Sequence, residues 1–363
     1  MDVDPGRHRR RGHPVARHHP RPGDAVGDVR GWLPSVTSLA QPAADPAFEA
    51  LVRERLDAVE ARLKTTAAAQ TAFTTDAAQH LLSAGGKRFR PLLVVLASQL
   101  YPGADPSLVD RAAVVMELTH VASLYHDDVM DEAEVRRGVP SANSRWDNTV
   151  AIMVGDFLFA RASSTVATMG TDYVLLQAET FARLVQGQIA ETRGPDAEAD
   201  PLDHYLDVVG DKTGSLIAAS TVFGGMVCGA PQEVLDSLAQ YGEEIGVVFQ
   251  LSDDLIDIAS DTSGKTPGTD LREGVATLPV LMLRASAGPE DTRLLDLTSR
   301  PLTDEAEVAE ALARLRAHPV LEQARAEVVR RAEVARSYLS RLPEGPARDA
   351  LSALCDQVVS RSS

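Results

Sequence analysis

The sequence predicts an all-α protein, on three observations. From about Pro46 onward, apolar residues recur at helical spacing and strand alternation is scarce. Aromatics make up only 4% of a chain that is 44% hydrophobic, so the core must be aliphatic and alanine-rich. Such a core suits packed helices better than a β-sandwich. The interruptions are clusters of Gly, Pro, Asp and Ser, which are turn chemistry. None is long enough to be a linker, so residues 36–363 are expected to form one helical domain.

The elements follow in order. Residues 1–35 hold seven Arg, four Asp, four of the nine His and five Pro, with no apolar periodicity. They lack the apolar stretch of a secretory signal. They read as a disordered basic tail, or as an extension from a misassigned start codon. Ala50 to Ala69 interleaves charges at helical spacing. After the break YPGADPS (101–107) comes a long helix over Val109 to Asp131, with Val114, Leu118, Val121 and Tyr125 forming one stripe. Further breaks fall at GVPSAN (138–143), GPDAEADP (194–201), TSGKTPGTD (262–270), SAGPED (286–291) and LPEGP (342–346). GGMVCG (224–229) lies in a helical run without the preceding strand that a phosphate-binding glycine loop requires.

A net charge of −16 argues against nucleic acid and against an anionic membrane surface. No run of about 18 apolar residues suggests a membrane span. Two cysteines, Cys228 and Cys355, are too few for a disulfide scaffold or a four-thiolate zinc site, and a reducing cytoplasm is the expected compartment. Only four lysines occur among the 36 basic residues. Lys87, Lys212 and Lys265 each lie within two residues of a glycine, and Lys64 reads as a helix-surface residue.

Two aspartate clusters carry the chemistry. HDDVMD holds Asp127, Asp128 and Asp131; QLSDDLID holds Asp253, Asp254 and Asp257. Each is DDxxD, so on a helix Asp127 shares a face with Asp131, and Asp253 with Asp257. Like charges that close destabilise a bare helix and call for a counter-charge. Carboxylates select hard cations, and Mg²⁺ prefers a few carboxylates plus water and phosphate oxygens. Arg136 and Arg137 follow the first cluster and Lys265 the second. Acidic clusters followed by cations describe a site for metal-bound phosphate. Neither cluster has the ligand spacing of an EF-hand.

The motifs GGKRFRP (85–91), ELTHVASLYHDDVMDEAEVRRG (117–138), GDF (155–157), GDKTGSL (210–216), VFQLSDDLIDI (248–258) and GKTPGTDL (264–271) occur in that order. With them the chain resembles the trans-prenyl diphosphate synthases of the polyprenyl synthetase family. The resemblance implies a helical bundle of the class I isoprenoid synthase type with a central active-site cavity. It implies three Mg²⁺ held on an allylic diphosphate by Asp127 and Asp131 with Asp128 beside them, and by Asp253 supported by Asp254 and Asp257. Arg136, Lys212 and Lys265 match cations on that diphosphate. Lys87, Arg90, His120 and Arg137 match the pocket for isopentenyl diphosphate. Thr213 and Gln250 match polar groups near the developing carbocation. A homodimer is also implied.

Breaking an allylic C–O bond makes a cation and a diphosphate, and fixed positive charge stabilises the leaving group. No side-chain nucleophile is needed, in keeping with the lack of a recognisable Ser/His/Asp or Cys/His motif. His126 reads as a helix-packing residue or a support behind the ligands, and Arg88 as facing solvent or an acidic neighbour. Gly214, Ser215, Ala218, Ala219 and Ser220 read mostly as close helix packing.

Three other readings are weaker. Glu117-x-x-His120 is a di-iron ligand pattern, but no second copy exists. A class I terpene cyclase should have a different second metal motif and more aromatics. A non-catalytic synthase subunit should have lost one cluster.

In the resembling family the product tail grows beside the first-cluster helix. Ala122 and Ser123 lie five and four residues before Asp127, about 7.5 and 6 Å along the helix. Synthases that stop at farnesyl or geranylgeranyl usually carry an aromatic or an insertion there. This chain has neither, and Thr119 is modest in size, leaving Met116 and Val115 as a deeper floor. The expected product is therefore long, octaprenyl to decaprenyl, for a quinone side chain. A geranylgeranyl or farnesyl product is the alternative.

Overall fold

The computed structural model describes residues 45–259 and 267–361. The expected basic tail over 1–35 and the expected ligand Lys265 lie outside the described residues.

Helix α1 (Pro46–Thr66) starts where the Asp45 carboxylate accepts from the Ala47 N–H and a proline takes the first helical position. Both devices suit a helix N-terminus. Helix α2 (Ala72–Ser83) is capped by the Thr71 side chain, and α3 (Phe89–Ala97) follows the GGKR loop. Helix α4 (Pro106–Met130) repeats the Asp–Pro start, with Asp105 as its cap. A two-stranded antiparallel hairpin, β1 (Val135–Arg136) and β2 (Val139–Pro140), then turns the chain; no other sheet occurs among the described residues.

Helices α5 (Ala142–Arg145), α6 (Asn148–Val166), α7 (Thr171–Arg193) and α8 (Pro201–Val209) follow. A π-helical turn over Gly210–Gly214 leads into α9 (Ser215–Val227), and the long α10 (Gln232–Ala259) comes next. The rest is α11 (Thr269–Glu273), α12 (Leu278–Ser286), α13 (Thr292–Leu297), α14 (Glu305–Ala317), α15 (Pro319–Tyr338) and α16 (Pro346–Ser360).

The stripe Val114, Leu118, Val121 and Tyr125 is fully buried, as its spacing requires. Burial goes further than one stripe, because Ala112, Ala113, Val115, Met116, Thr119 and Ala122 are buried too. A helix apolar on most sides belongs in the middle of a bundle. Helix α4 accordingly packs against α6, α3, α9 and α1. Helix α10 packs on α9 and α15, so α9 bridges the two cluster-bearing helices.

Small residues make that bridge close. A Cβ on Gly224 of α9 would lie 2.5 Å from the Val94 carbonyl of α3, nearer than any side chain tolerates. Ser215, Ala218, Ala219 and Ser220 are buried in the same helix, as helix packing predicts. Helix α6 is long and apolar enough to cross a membrane by length and composition alone. Here it lies along α4.

Candidate active site

The first cluster ends α4. Asp131 caps that helix, its N–H bonded to the Asp127 carbonyl at 2.8 Å. Asp127 is half-buried and Asp131 exposed, and the two share a face. Asp128, about 100° further round the helix, points inward. It is fully buried and accepts from Arg136 Nε at 2.6 Å, and its Oδ2 has no hydrogen-bond partner. Arg136 comes from β1, so the hairpin is what returns this cation to the cluster. Burial pushes the Asp127 carboxyl up to about 6; Lys212 opposes this and Asp131 adds to it.

The second cluster ends α10. Asp253 is half-buried and meets two cations at one oxygen: Arg361 at 3.0 Å and Lys87 at 3.6 Å. Asp257 accepts from the N–H groups of Thr269 and Asp270 at 3.1 and 3.2 Å, capping α11. Asp254 points inward and is buried, bonded by the Tyr205 hydroxyl and by Gln250 Nε2 at 3.1 Å. Glu273 joins the two arms electrostatically. Burial raises its carboxyl first, then Asp131 from one cluster and Asp257 from the other. Both clusters therefore act on the Glu273 carboxyl.

The π-turn supplies the next pair. The Ser215 N–H reaches back five residues to the Gly210 carbonyl, which swells the helix by one residue. Arg183 of α7 pins the turn by bonding Asp211 at 2.5 Å and Glu243 at 2.8 Å. Gly187 permits the approach of α7, since a Cβ there would lie 2.8 Å from the Lys212 nitrogen. Lys212 then pairs with Glu191 at 2.5 Å, and Thr213 donates to Gln250 Oε1 at 3.4 Å.

A basic pocket forms on the other side. Arg88, in left-handed backbone at φ 46°, bonds Glu60 at 2.7 Å and the buried Glu117 at 3.0 Å. The expected acidic neighbour is thus present. Arg137 donates to the Leu81 and Gly85 carbonyls at 2.7 and 2.5 Å, fixing the GGKR loop. Arg90 is deeply set, and its Nε is buried without a hydrogen-bond partner. Burial first, then Arg137, lowers it to about 10, against the pull of Glu117. Burial and the surrounding arginines push His120 well below its ordinary value, so it is neutral at pH 7. Lys87 stands at the rim, 4.9 Å over the Phe249 ring, which stacks on Phe89. An unpartnered guanidinium nitrogen among cations is a receptor for an anion.

The expected tail-floor positions all lie in the interior. Ala122, Thr119, Met116 and Val115 have no exposed surface, and Ser123 has 7%. Gln177 of α7 reaches Thr119 at 3.4 Å. His126 packs as expected, with Nε2 3.2 Å from the Ile152 carbonyl. Glu117 of the Glu117-x-x-His120 pattern is 3.0 Å from Arg88 and 4.0 Å from Arg137.

Among the described residues, no three carboxylate, His or Cys side chains converge into a ready metal cage. A hard divalent cation carried with a diphosphate needs only one or two carboxylates per arm. Asp127 with Asp131, and Asp253, supply such arms, and burial keeps the Asp127 carboxyl raised despite Lys212 and Arg136 nearby. Tyr205, Glu273 and Arg361 belong to the site but were not expected from the sequence. Their only sequence signal is residue type, since each reaches the site through tertiary packing.

The family described as Polyprenyl synthetase matches residues 71–315. The chain is 49% identical to a nonaprenyl diphosphate synthase of Mycobacterium tuberculosis, over 87% of this chain and 95% of that one. Among solved structures it is similar to a geranylgeranyl pyrophosphate synthase from Corynebacterium glutamicum complexed with calcium and isoprenyl diphosphate. That likeness has a TM-score of 0.78 and 44% identity, covering 87% of this chain and 98% of the other. A decaprenyl diphosphate synthase from Rhodobacter capsulatus matches with a TM-score of 0.79 and 33% identity, covering 87% and 99%.

Proposed function

The chain belongs to the polyprenyl synthetase family and is a prenyltransferase, and on that premise we propose that it condenses isopentenyl diphosphate with an allylic diphosphate to give a long all-trans polyprenyl diphosphate. The observation that carries this reading is that Lys87 lies 3.6 Å from Asp253 of the second cluster, on the loop whose Gly85 carbonyl accepts from Arg137, just after the first cluster, at 2.5 Å. That loop joins the two acidic arms, with the arginine pocket beside it.

Asp127, Asp131 and Asp253 would hold Mg²⁺, with Asp257 at the edge of the second arm. When bound, Mg²⁺ would neutralise charge on the departing diphosphate. Lys212, Arg136 and Lys265 bind the remaining oxygens of that group. Arg90, Arg137, Lys87 and neutral His120 bind the second diphosphate, which orients its double bond toward the allylic carbon. Thr213 and Gln250 lie where positive charge grows. The released diphosphate is a sufficient base for the final proton.

Two of the named relatives, the nonaprenyl and decaprenyl synthases, favour a long product, octaprenyl to decaprenyl, as do the small residues Ala122 and Ser123; the geranylgeranyl synthase stands for the shorter alternative. Exposed Met153 and Ile152 on α6, and Leu175 and Ile189 on α7, leave an apolar face that supports a homodimer. Cys228 and Cys355 are unpaired, in keeping with a cytoplasmic protein.

The test is purified chain alone with Mg²⁺, isopentenyl diphosphate and each allylic primer in turn. Chromatography should show a long polyprenyl product that vanishes with EDTA. Geranylgeranyl diphosphate as the end point would overturn the long-chain reading. Turnover only after adding another chain would overturn the homomeric one.

A further inference from the structure

The middle aspartate of the second cluster does not share the face of Asp253 and Asp257. Asp254 Oδ2 accepts from the Tyr205 hydroxyl of α8. Its Oδ1 accepts from Gln250 Nε2, one helical turn back, at 3.1 Å. An ionised carboxylate only accepts, so it captures the NH₂ end of the amide. Gln250 Oε1 is left on the other side, where the Thr213 hydroxyl donates to it at 3.4 Å.

We propose that Tyr205 and Asp254 are positioning residues that lock the Gln250 amide with its carbonyl oxygen, not its NH₂, toward the forming allylic cation. This rests on the reading of the site as a prenyltransferase that ionises its allylic substrate. An amide free to turn would present N–H donors, and so positive charge, to a cation for part of the time. A fixed one presents the negative end of its dipole with no reorganisation during the reaction. Tyr205 completes the lock by holding the second oxygen of Asp254, which keeps that carboxylate from swinging toward the face of Asp253. Three elements contribute: α8 gives Tyr205, the π-turn gives Thr213, and α10 gives Gln250 and Asp254.

Tyr205→Phe keeps the ring and removes the donor. It should lower kcat about tenfold, less than the roughly 100- to 1000-fold lost when such a group is removed outright. The KM of both substrates and the Mg²⁺ half-saturation should stay within about twofold. Adding Tyr205→Phe to Gln250→Leu should cost nothing further, because the lock then holds no amide. Asp254→Asn can donate as well as accept, so the amide can turn over; it should show the same kcat loss with metal dependence kept. Mn²⁺ binding followed by electron paramagnetic resonance should match the parent in both single variants, and thermal melts confirm that each is folded. Wild-type kcat in Tyr205→Phe, or losses that multiply in the double variant, would overturn the inference. So would weakened Mn²⁺ binding in Asp254→Asn, which would make Asp254 a metal ligand. Failure of the underlying reading shows differently, as a parent chain that turns over no allylic diphosphate.

Discussion

Arg361 donates to Asp253 Oδ1 at 3.0 Å, so the residue just past the last helix touches the second aspartate cluster. The guanidinium also lies 5.2 Å over the Phe249 ring, which it shares with Lys87. A cation held there competes with a metal for the same oxygen. Arg361→Ala should therefore lower the Mg²⁺ concentration for half-maximal activity. The pair is partly exposed, so the shift should be no more than about fivefold, matching the worth of about 1 kcal/mol of a surface ion pair. A magnesium titration of initial rates checks this. A higher magnesium requirement would show that Arg361 aids loading instead.

Asp127 and Asp253 head the two arms, while the inward-pointing Asp128 and Asp254 are held by Arg136 and by Tyr205 with Gln250. Replacing either by Ala should cut Mg²⁺-dependent turnover at least about 100-fold, the usual cost of losing a main stabiliser of transition-state charge. Steady-state assays with saturating magnesium decide it. Near-normal turnover in either variant would refute a metal role for that residue.

Asp127 also makes a pH prediction for the metal-free protein. Its folded carboxyl is raised to about 6 by burial, above its ordinary 3.8. A raised carboxyl contributes stability below its unfolded value, and loses it as pH climbs through the folded value. In EDTA, Asp127→Asn should gain Tm relative to the parent at pH 7.5, and little at pH 4.5. Thermal melts at both values measure the difference. An equal shift at both would mean that Asp127 is ionised alike in the folded and unfolded chains.

Much of this site is legible in the sequence because its signals are local. The i, i+4 spacing puts Asp127 with Asp131 and Asp253 with Asp257 whatever surrounds the helices. The GDKTG run already held its lysine and threonine between glycines. Other features needed the fold. Asp128 and Asp254 look equivalent to their neighbours in the motif, yet one turn of about 100° sends each inward to a different partner. Tyr205 reaches Asp254 across 49 residues and Arg361 reaches Asp253 across 108, distances that no pattern encodes. The stripe on α4 is only part of its buried surface, because Val115, Met116, Thr119 and Ala122 between its members are buried too and the helix is covered on most sides.

Glu117 tests the basic pocket. It is buried at 2% exposure, bonds Arg88 at 3.0 Å and lies 4.0 Å from Arg137. Removing one member of a buried ionic group leaves charge unpaired and typically costs about 3–5 kcal/mol. Glu117→Ala should lower stability by an amount of that order in denaturant melts. The KM for isopentenyl diphosphate should rise more than that for the allylic substrate, since Arg88 and Arg137 both hold the loop carrying Lys87. An equal rise for both substrates would mean that the damage is general.

Ala122→Phe decides how the product is measured out. Ala122 has no exposed surface, and Ser123 beside it bonds the His120 carbonyl at 2.8 Å. A ring at position 122 enters space about 7.5 Å along the helix from Asp127. If the tail passes there, the ring stops it early, and products should shift from long chains toward the geranylgeranyl class with turnover retained. If Ala122 only packs, the added volume strains the interior by about 1–3 kcal/mol. Tm would then fall while product length stayed the same. Reverse-phase chromatography of the dephosphorylated products, read beside a thermal melt of the same variant, separates the two outcomes.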